Sequence, residues 1–315
     1  MLKRYRFLLL GISIAILAAI VWYSNPAALV SLLYTADMKW IVIAFIISNI
    51  SICLRVLKWK VLLKNVGFRE LYPVQILGMT ISNFTPGKLG EPIKAIILKM
   101  RKGLAVSETL PSIMWERIMD IAILIIFSIV ALQFISLDSR FFLISLISVG
   151  IFSSVILTLS IIIYSRKIGV RFFAFFKKFP FLNKVSDNFI ETFYSSKIKK
   201  RGIFKCLILT IFPWLFEGVI LYLSFLAFGI TTNPLVLAGI VALSVLIGVA
   251  SFLPGGMGSA DVAMIFILGM TGLGNTVTVA AVLLYRFLSL WYGILIGGLS
   301  FVYLSRKMDL KKILD

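Results

Sequence analysis

The chain interrupts its own apolar runs twice, at distant places, in the same way. Phe84-Thr85-Pro86-Gly87-Lys88-Leu89-Gly90 and Phe252-Leu253-Pro254-Gly255-Gly256-Met257-Gly258 both read F-x-P-G-x-x-G. Each break is followed closely by an acid, Glu91 or Asp261, and about thirty residues on by an apolar segment with an arginine, Arg117 or Arg286. Irregular backbone at membrane depth is tolerated only where protein or a wet cavity covers it. Matched breaks in two halves of a chain therefore point to a transporter-like binding site near the bilayer midplane.

The membrane itself follows from composition. Sixty per cent of residues are hydrophobic and 14% charged, against roughly 25% charged in soluble domains, and mean hydropathy is +1.05. The net charge of +19 does not indicate nucleic acid, because the cations lie between apolar stretches instead of on a polar domain. There is no histidine, and Cys53 and Cys206 both sit in apolar segments. Neither a metal site, a cofactor nor a disulfide is expected. Lys3, Arg4 and Arg6 precede an apolar run to Tyr23 that is long for a signal peptide, and Pro26-Ala27-Ala28 is a poor cleavage site, so an uncleaved first helix is expected.

Six apolar runs are long enough to cross a hydrocarbon core of roughly 30 Å: Phe7 to Tyr23, Trp40 to Leu63, Pro111 to Phe134, Phe141 to Tyr164, Ile203 to Phe228 and Thr278 to Leu304. The two interrupted regions, 71–100 and 235–270, read as re-entrant helical hairpins. Segments 1–6, 55–69, 94–102, 166–205 and 306–312 hold 27 of the 32 Lys and Arg, whereas the connections near Lys39, Arg140, Ile230 and Asn275 hold two. The positive-inside rule puts the first group, with both termini, in the cytoplasm. Threaded so, the chain is an all-α integral plasma (inner) membrane protein of six transmembrane helices plus two re-entrant hairpins, arranged as an inverted repeat. Residues 1–164 form the first half, with helix 4 bridging the halves; 165–202 form a basic cytoplasmic linker, and 203–315 the second half. Within the linker, Arg171-Phe172-Phe173-Ala174-Phe175-Phe176-Lys177-Lys178-Phe179 mixes aromatics with cations. It reads either as a segment lying on the anionic inner leaflet or as a plain connection.

Proline and glycines let a helix stop and backbone approach a ligand, and the restarting helix offers free N–H groups to an anion such as phosphate. Candidate ligand-binding residues are accordingly Asn83, Pro86, Gly87, Lys88, Gly90 and Glu91 at the first break and Pro254, Gly255, Gly256, Gly258 and Asp261 at the second. No Ser or Thr follows Lys88, so this is not a nucleotide P-loop. Glu116, Arg117 and Asp120 share one helix face. Asp120 lies about 13 Å along its helix from Pro111, where a charge costs at least ~2.5 kcal/mol unless paired or hydrated. With Glu217 and Arg286 these form either a buried brace or a hydrophilic path. Arg55, Lys58 and Lys60, near the inner end of helix 2, read as snorkelling anchors.

Arg55-Val56-Leu57-Lys58-Trp59-Lys60, then Asn83 through Pro92, then Glu116-Arg117 with Asp120, then Leu253 through Gly258, and finally Tyr285-Arg286 resemble, in order and spacing, the transmembrane region of the lysylphosphatidylglycerol synthase/flippase family. That family includes the membrane half of an enzyme that aminoacylates phosphatidylglycerol and moves the product across the bilayer, a region attached to some archaeal glycosyltransferases, and many stand-alone proteins. The resemblance covers essentially the whole chain and implies a flippase-like role, without the soluble aminoacyl-transferase domain. Many relatives have Arg-Glu after the second glycine motif where this chain has Ser259-Ala260-Asp261.

Three functions compete. The first is a flippase moving an anionic or phosphate-containing lipid (phospholipid, aminoacylated lipid or polyprenyl-phosphate-linked glycan) by alternating access, its headgroup between the two loops and its tails left in the bilayer. The second is a membrane enzyme acting on lipid-linked substrates with Asp120, Glu91 or Glu217 as base. The third is a scaffold for an envelope lipid or polysaccharide synthase. The expected partners are thus a substrate lipid, anionic inner-leaflet lipids and such a synthase, not nucleic acid, and an enzymatic role is not expected.

Overall fold

The computed structural model describes residues 2–63, 66–88, 90–134, 139–176, 187–196 and 198–306. Leu89, the 177–186 stretch with Lys177, Lys178 and Phe179, and the basic segment from 307 onward lie outside the described residues. Among those described, all regular structure is helical.

The first apolar run forms α1 (Leu2–Tyr23), but the chain then turns by 81° into α2 (Pro26–Thr35). Asn25, in a left-handed conformation, caps α2, and Pro26 opens it. This helix lies outside the six apolar runs, and its sequence signal is a proline at the first helical position after a capping asparagine. Next come α3 (Met38–Leu62), α4 (Phe68–Asn83), α5 (Ile93–Lys102), α6 (Val106–Leu132) and α7 (Ser139–Tyr164). The basic stretch contributes α8 (Arg166–Phe176) and α9 (Asp187–Ser195). The second half has α10 (Lys200–Leu226), α11 (Pro234–Ala250), α12 (Ser259–Gly269) and α13 (Asn275–Arg286), which runs through a π turn at Phe287–Trp291 into α14 (Tyr292–Ser305).

Four of these are long and apolar enough to cross a membrane: α3, residues 142–164 of α7, α10, and α13 continued by α14; the bent α1–α2 pair would make a fifth. Although α6 has 27 residues, Glu116, Arg117 and Asp120 fall within its apolar run. The protein is a multi-pass, all-helical membrane protein, and its outward faces are accordingly apolar: Trp22, Tyr23 and Tyr34 are exposed around the bend, and Leu295 and Leu299 on α14.

At both breaks the chain folds back on itself. Lys102 pairs with Glu70, Lys94 reaches Gln75, and Ser82 donates to the Lys88 carbonyl, so α5 runs antiparallel along α4. Gly248 abuts Ala260 and Ser251 meets Ser259, so α12 returns along α11.

Helices of the N-terminal part of the chain pack directly against those of the C-terminal part. The helices that precede the hairpins, α3 and α10, make the most extensive contact in the molecule. The first hairpin's α4 packs on α14 of the second half, and the second hairpin's α11 packs on α6 of the first. Close approach needs small residues there: a Cβ on Gly239 of α11 would lie 2.5 Å from the Phe127 carbonyl oxygen of α6. Val56, Trp59, Leu71, Val74, Ile97, Leu98 and Leu304 form one core, and Leu221, Phe225, Val241, Leu243, Met264, Ile267 and Val282 a second. The two breaks touch each other.

Candidate functional site at the junction of the two breaks

The breaks share a backbone form. Gly87 and Lys88 have φ of 60° and 57°, and Gly255 and Gly256 of 61° and 64°. Consecutive left-handed residues reverse the chain within a single short turn, and glycine takes that conformation freely whereas lysine does not. The Asn83 carbonyl oxygen lies 3.3 Å from where a Gly255 side chain would begin, so the two turns touch. Thr85 ties the first turn together, accepting from Gly90 N–H at 2.8 Å and donating to the Ser82 carbonyl.

Each break's acid meets its own half's arginine. Glu91 stands 2.8 Å from Arg117 Nε, and Asp261 pairs with Arg286. Asp261 also accepts from Gly258 N–H at 2.8 Å, capping α12, and Arg286 donates to the Gly256 carbonyl. In the second half, therefore, acid and arginine fasten the turn to its helices.

The first half builds a wider network. Asp120 accepts from Arg117 at 2.6 Å, from Lys58 at 2.5 Å and from the Trp214 indole at 3.0 Å. Glu116 holds Lys94 at 2.6 Å and Gln75 at 2.8 Å, with Lys58 at 3.6 Å. Lys58, Lys94, Glu116 and Asp120 are essentially sealed from solvent. Ions this deep persist only when paired and hydrogen-bonded. Nearby, Glu217 joins Arg55 and the Tyr285 hydroxyl, each at 3.0 Å, while Arg55 lies over the Trp214 ring.

Two cavities adjoin this network. A polar one of about 120 Å³ is lined by Ser48, Ser51, Arg55, Asn83, Glu217 and Arg286, among others, and an apolar groove of about 430 Å³ lies between α6, α7 and α11. Lys88, Trp214 and Val245 line both. Gly87, Glu91, Arg117 and Asp120 close the charged end of the groove, and Gly255 touches the polar cavity. Pro86, Gly90, Glu116, Pro254, Gly256, Gly258 and Asp261 line neither; they shape or brace the walls.

Two expectations are overturned. Arg55 and Lys58 do not snorkel: both are buried and ion-paired, and only Lys60 is exposed. The signal was present, because Ser48, Ser51, Arg55 and Lys58 recur at helical spacing on one face of α3, and a polar stripe in an apolar helix faces protein. Lys94 was counted among cytoplasmic cations but is fully buried. Removing these three from the 27 leaves 24 cations against two outside, so the charge bias survives. Gln75, Trp214 and Tyr285 were not singled out as ligands, since neutral polar groups within apolar runs carry little sequence signal.

The model of the lysylphosphatidylglycerol synthase TM region family matches residues 9–297. A UPF0104 membrane protein of Methanothermobacter thermautotrophicus is 26% identical over 337 aligned positions, covering 100% of this chain and 99% of its own. A second, from Pyrococcus horikoshii, is 23% identical with 98% of each chain covered. The phosphatidylglycerol lysyltransferase of Staphylococcus haemolyticus is 34% identical over 89 residues, 28% of this chain and 10% of that enzyme. Through the match that runs across both breaks and the charged helices between them, the chain belongs to the lysylphosphatidylglycerol synthase TM region family.

Proposed function

We propose that this protein moves a phosphate-bearing membrane lipid between leaflets by alternating access, its two halves forming an inverted repeat of six crossings and two re-entrant hairpins with both termini cytoplasmic. The observation that carries this is the meeting, at Lys88 and Trp214, of a polar cavity and an apolar groove where the two breaks touch. Such a site fits an amphiphile: the headgroup belongs against the cations and a chain in the groove. Further support comes from the packing of α4 on α14 and of α11 on α6, from the two acid–arginine pairs, and from the 24-to-2 charge bias.

The enzyme reading has less support, because Glu91, Asp120 and Glu217 are each already engaged by a cation. The basic α8, with Arg166, Lys167 and Arg171 beside exposed Ile168 and Val170, suits the anionic inner leaflet.

The test is transport of tail-labelled phosphatidylglycerol in phosphatidylcholine vesicles, read by bleaching of the outer-leaflet label. Wild type should exceed protein-free vesicles severalfold, and Gly255→Val, which puts a β-branched side chain at positive φ against Asn83, should abolish the gain. Movement no faster than in empty vesicles, or undiminished by Gly255→Val, would defeat the proposal.

A further inference from the structure

The buried charges can be matched one by one. Among the described residues, the interior carboxylates Glu91, Glu116, Asp120, Glu217 and Asp261 and the cations Arg55, Lys58, Lys94, Arg117 and Arg286 all stand within ion-pair distance of an opposite charge. Lys88, half-buried where the two cavities meet, is left over, five carboxylates facing six cations once it is added. The polar cavity concentrates that excess, since Arg55, Lys88 and Arg286 line it with Glu217 as the opposing carboxylate. On its other side, Lys88 shares the charged end of the groove with Glu91 and Arg117, which pair with each other. A partly desolvated cation with no opposing charge is held at a cost that a negative headgroup would relieve. It is also held in place at a cost, because Lys88 has a positive φ where the matching turn has Gly256.

We propose, resting on the lipid-transport reading above, that the site selects lipids by the net sign of the headgroup. It takes headgroups with an uncompensated phosphate charge and rejects aminoacylated ones. The phosphodiester of phosphatidylglycerol supplies the missing anion. A lysyl ester of the same lipid adds ammonium charge that outweighs the phosphate and faces Arg55, Lys88 and Arg286 with like sign, which a partly desolvated site penalises.

Binding, not transport, is the deciding measurement, so the inference can fail separately from the reading beneath it. The purified protein is presented with equimolar phosphatidylglycerol and lysylphosphatidylglycerol in mixed micelles, and retained lipid is counted by native mass spectrometry. Wild type should retain the former at least about tenfold over the latter, Lys88→Gln should shrink the ratio, and Lys88→Glu should reverse it. Lys88→Gly, with the residue type of the matching turn, guards against misfolding and should behave as the glutamine variant. Equal or preferred retention of the lysylated lipid by wild type, or a ratio unmoved in Lys88→Gly, overturns the inference. Displacement of phosphatidylglycerol by an equal concentration of inorganic phosphate would assign the site to a free anion and overturn it likewise. Sign-selective binding without transport would sink the transport reading alone.

Discussion

Lys88 adopts in the first break the left-handed conformation that Gly256 adopts in the second, at φ 57° against 64°. A side chain there costs about 1–2 kcal/mol, and the charge it carries has no partner among the described residues. Lys88→Gly should therefore raise stability by about 1 kcal/mol while weakening retention of an anionic lipid. Thermal unfolding in detergent checks the first half of that statement. A midpoint that stays put or falls would mean the turn is unstrained and that lysine sits there at no cost.

The charged helix shows how far sequence reaches and where it stops. Helical spacing pairs Arg117 with Asp120, and the structure has that pair at 2.6 Å. Spacing along one helix is silent about Lys58 and Lys94, which arrive from α3 and α5 to the same two carboxylates. Removing Arg117 and Asp120 together would thus leave Lys58 and Glu91 only longer contacts, to Glu116 and Lys94 at 3.6 Å each, instead of deleting a closed pair. The compensating double lies elsewhere. Glu116→Leu alone should cost about 3–5 kcal/mol by leaving Lys94 only the more distant Glu91 at 3.6 Å, and adding Lys94→Met should recover most of it. Chemical or thermal unfolding of the two singles and the double, as a cycle, measures the coupling. Additive losses would remove the pair from the brace.

Apolar run length places the long helices to within five residues at either end, because it is a property of one segment. The bend after Tyr23 and the packing of α4 on α14 and of α11 on α6 are properties of tertiary structure, and composition does not carry them. Sidedness is legible only through the cations, which makes it testable by itself. Cysteines at the exposed positions Lys102 and Asn275 should be labelled by an impermeant maleimide from opposite sides, Lys102 from the cytoplasm and Asn275 from outside. Labelling of both from one side would remove the inversion and with it the mechanism of exchange between leaflets.

The groove changes what is expected of the lipid's tails. Headgroup binding between the loops leaves the tails in the bilayer, yet Leu110, Ile113, Leu124, Phe152, Val155 and Val249 enclose an apolar space that reaches Lys88. Burying a chain there stabilises the complex by about 0.8 kcal/mol per methylene relative to water, and less relative to lipid, so the groove contributes mainly by holding the chain in line with the charged end. Val155 is 37% exposed, which gives a larger side chain room to enter from the periphery without displacing the core. Val155→Trp should leave the unfolding midpoint near wild type, within about 0.5 kcal/mol, and reduce retention of long-chain phosphatidylglycerol severalfold. A short-chain phosphatidylglycerol, whose tail stops before α7, should be retained as by wild type. Equal loss at both lengths would mean that the indole disturbs the charged end, and no loss at either would leave the tails in the bilayer and the groove without a chain to hold.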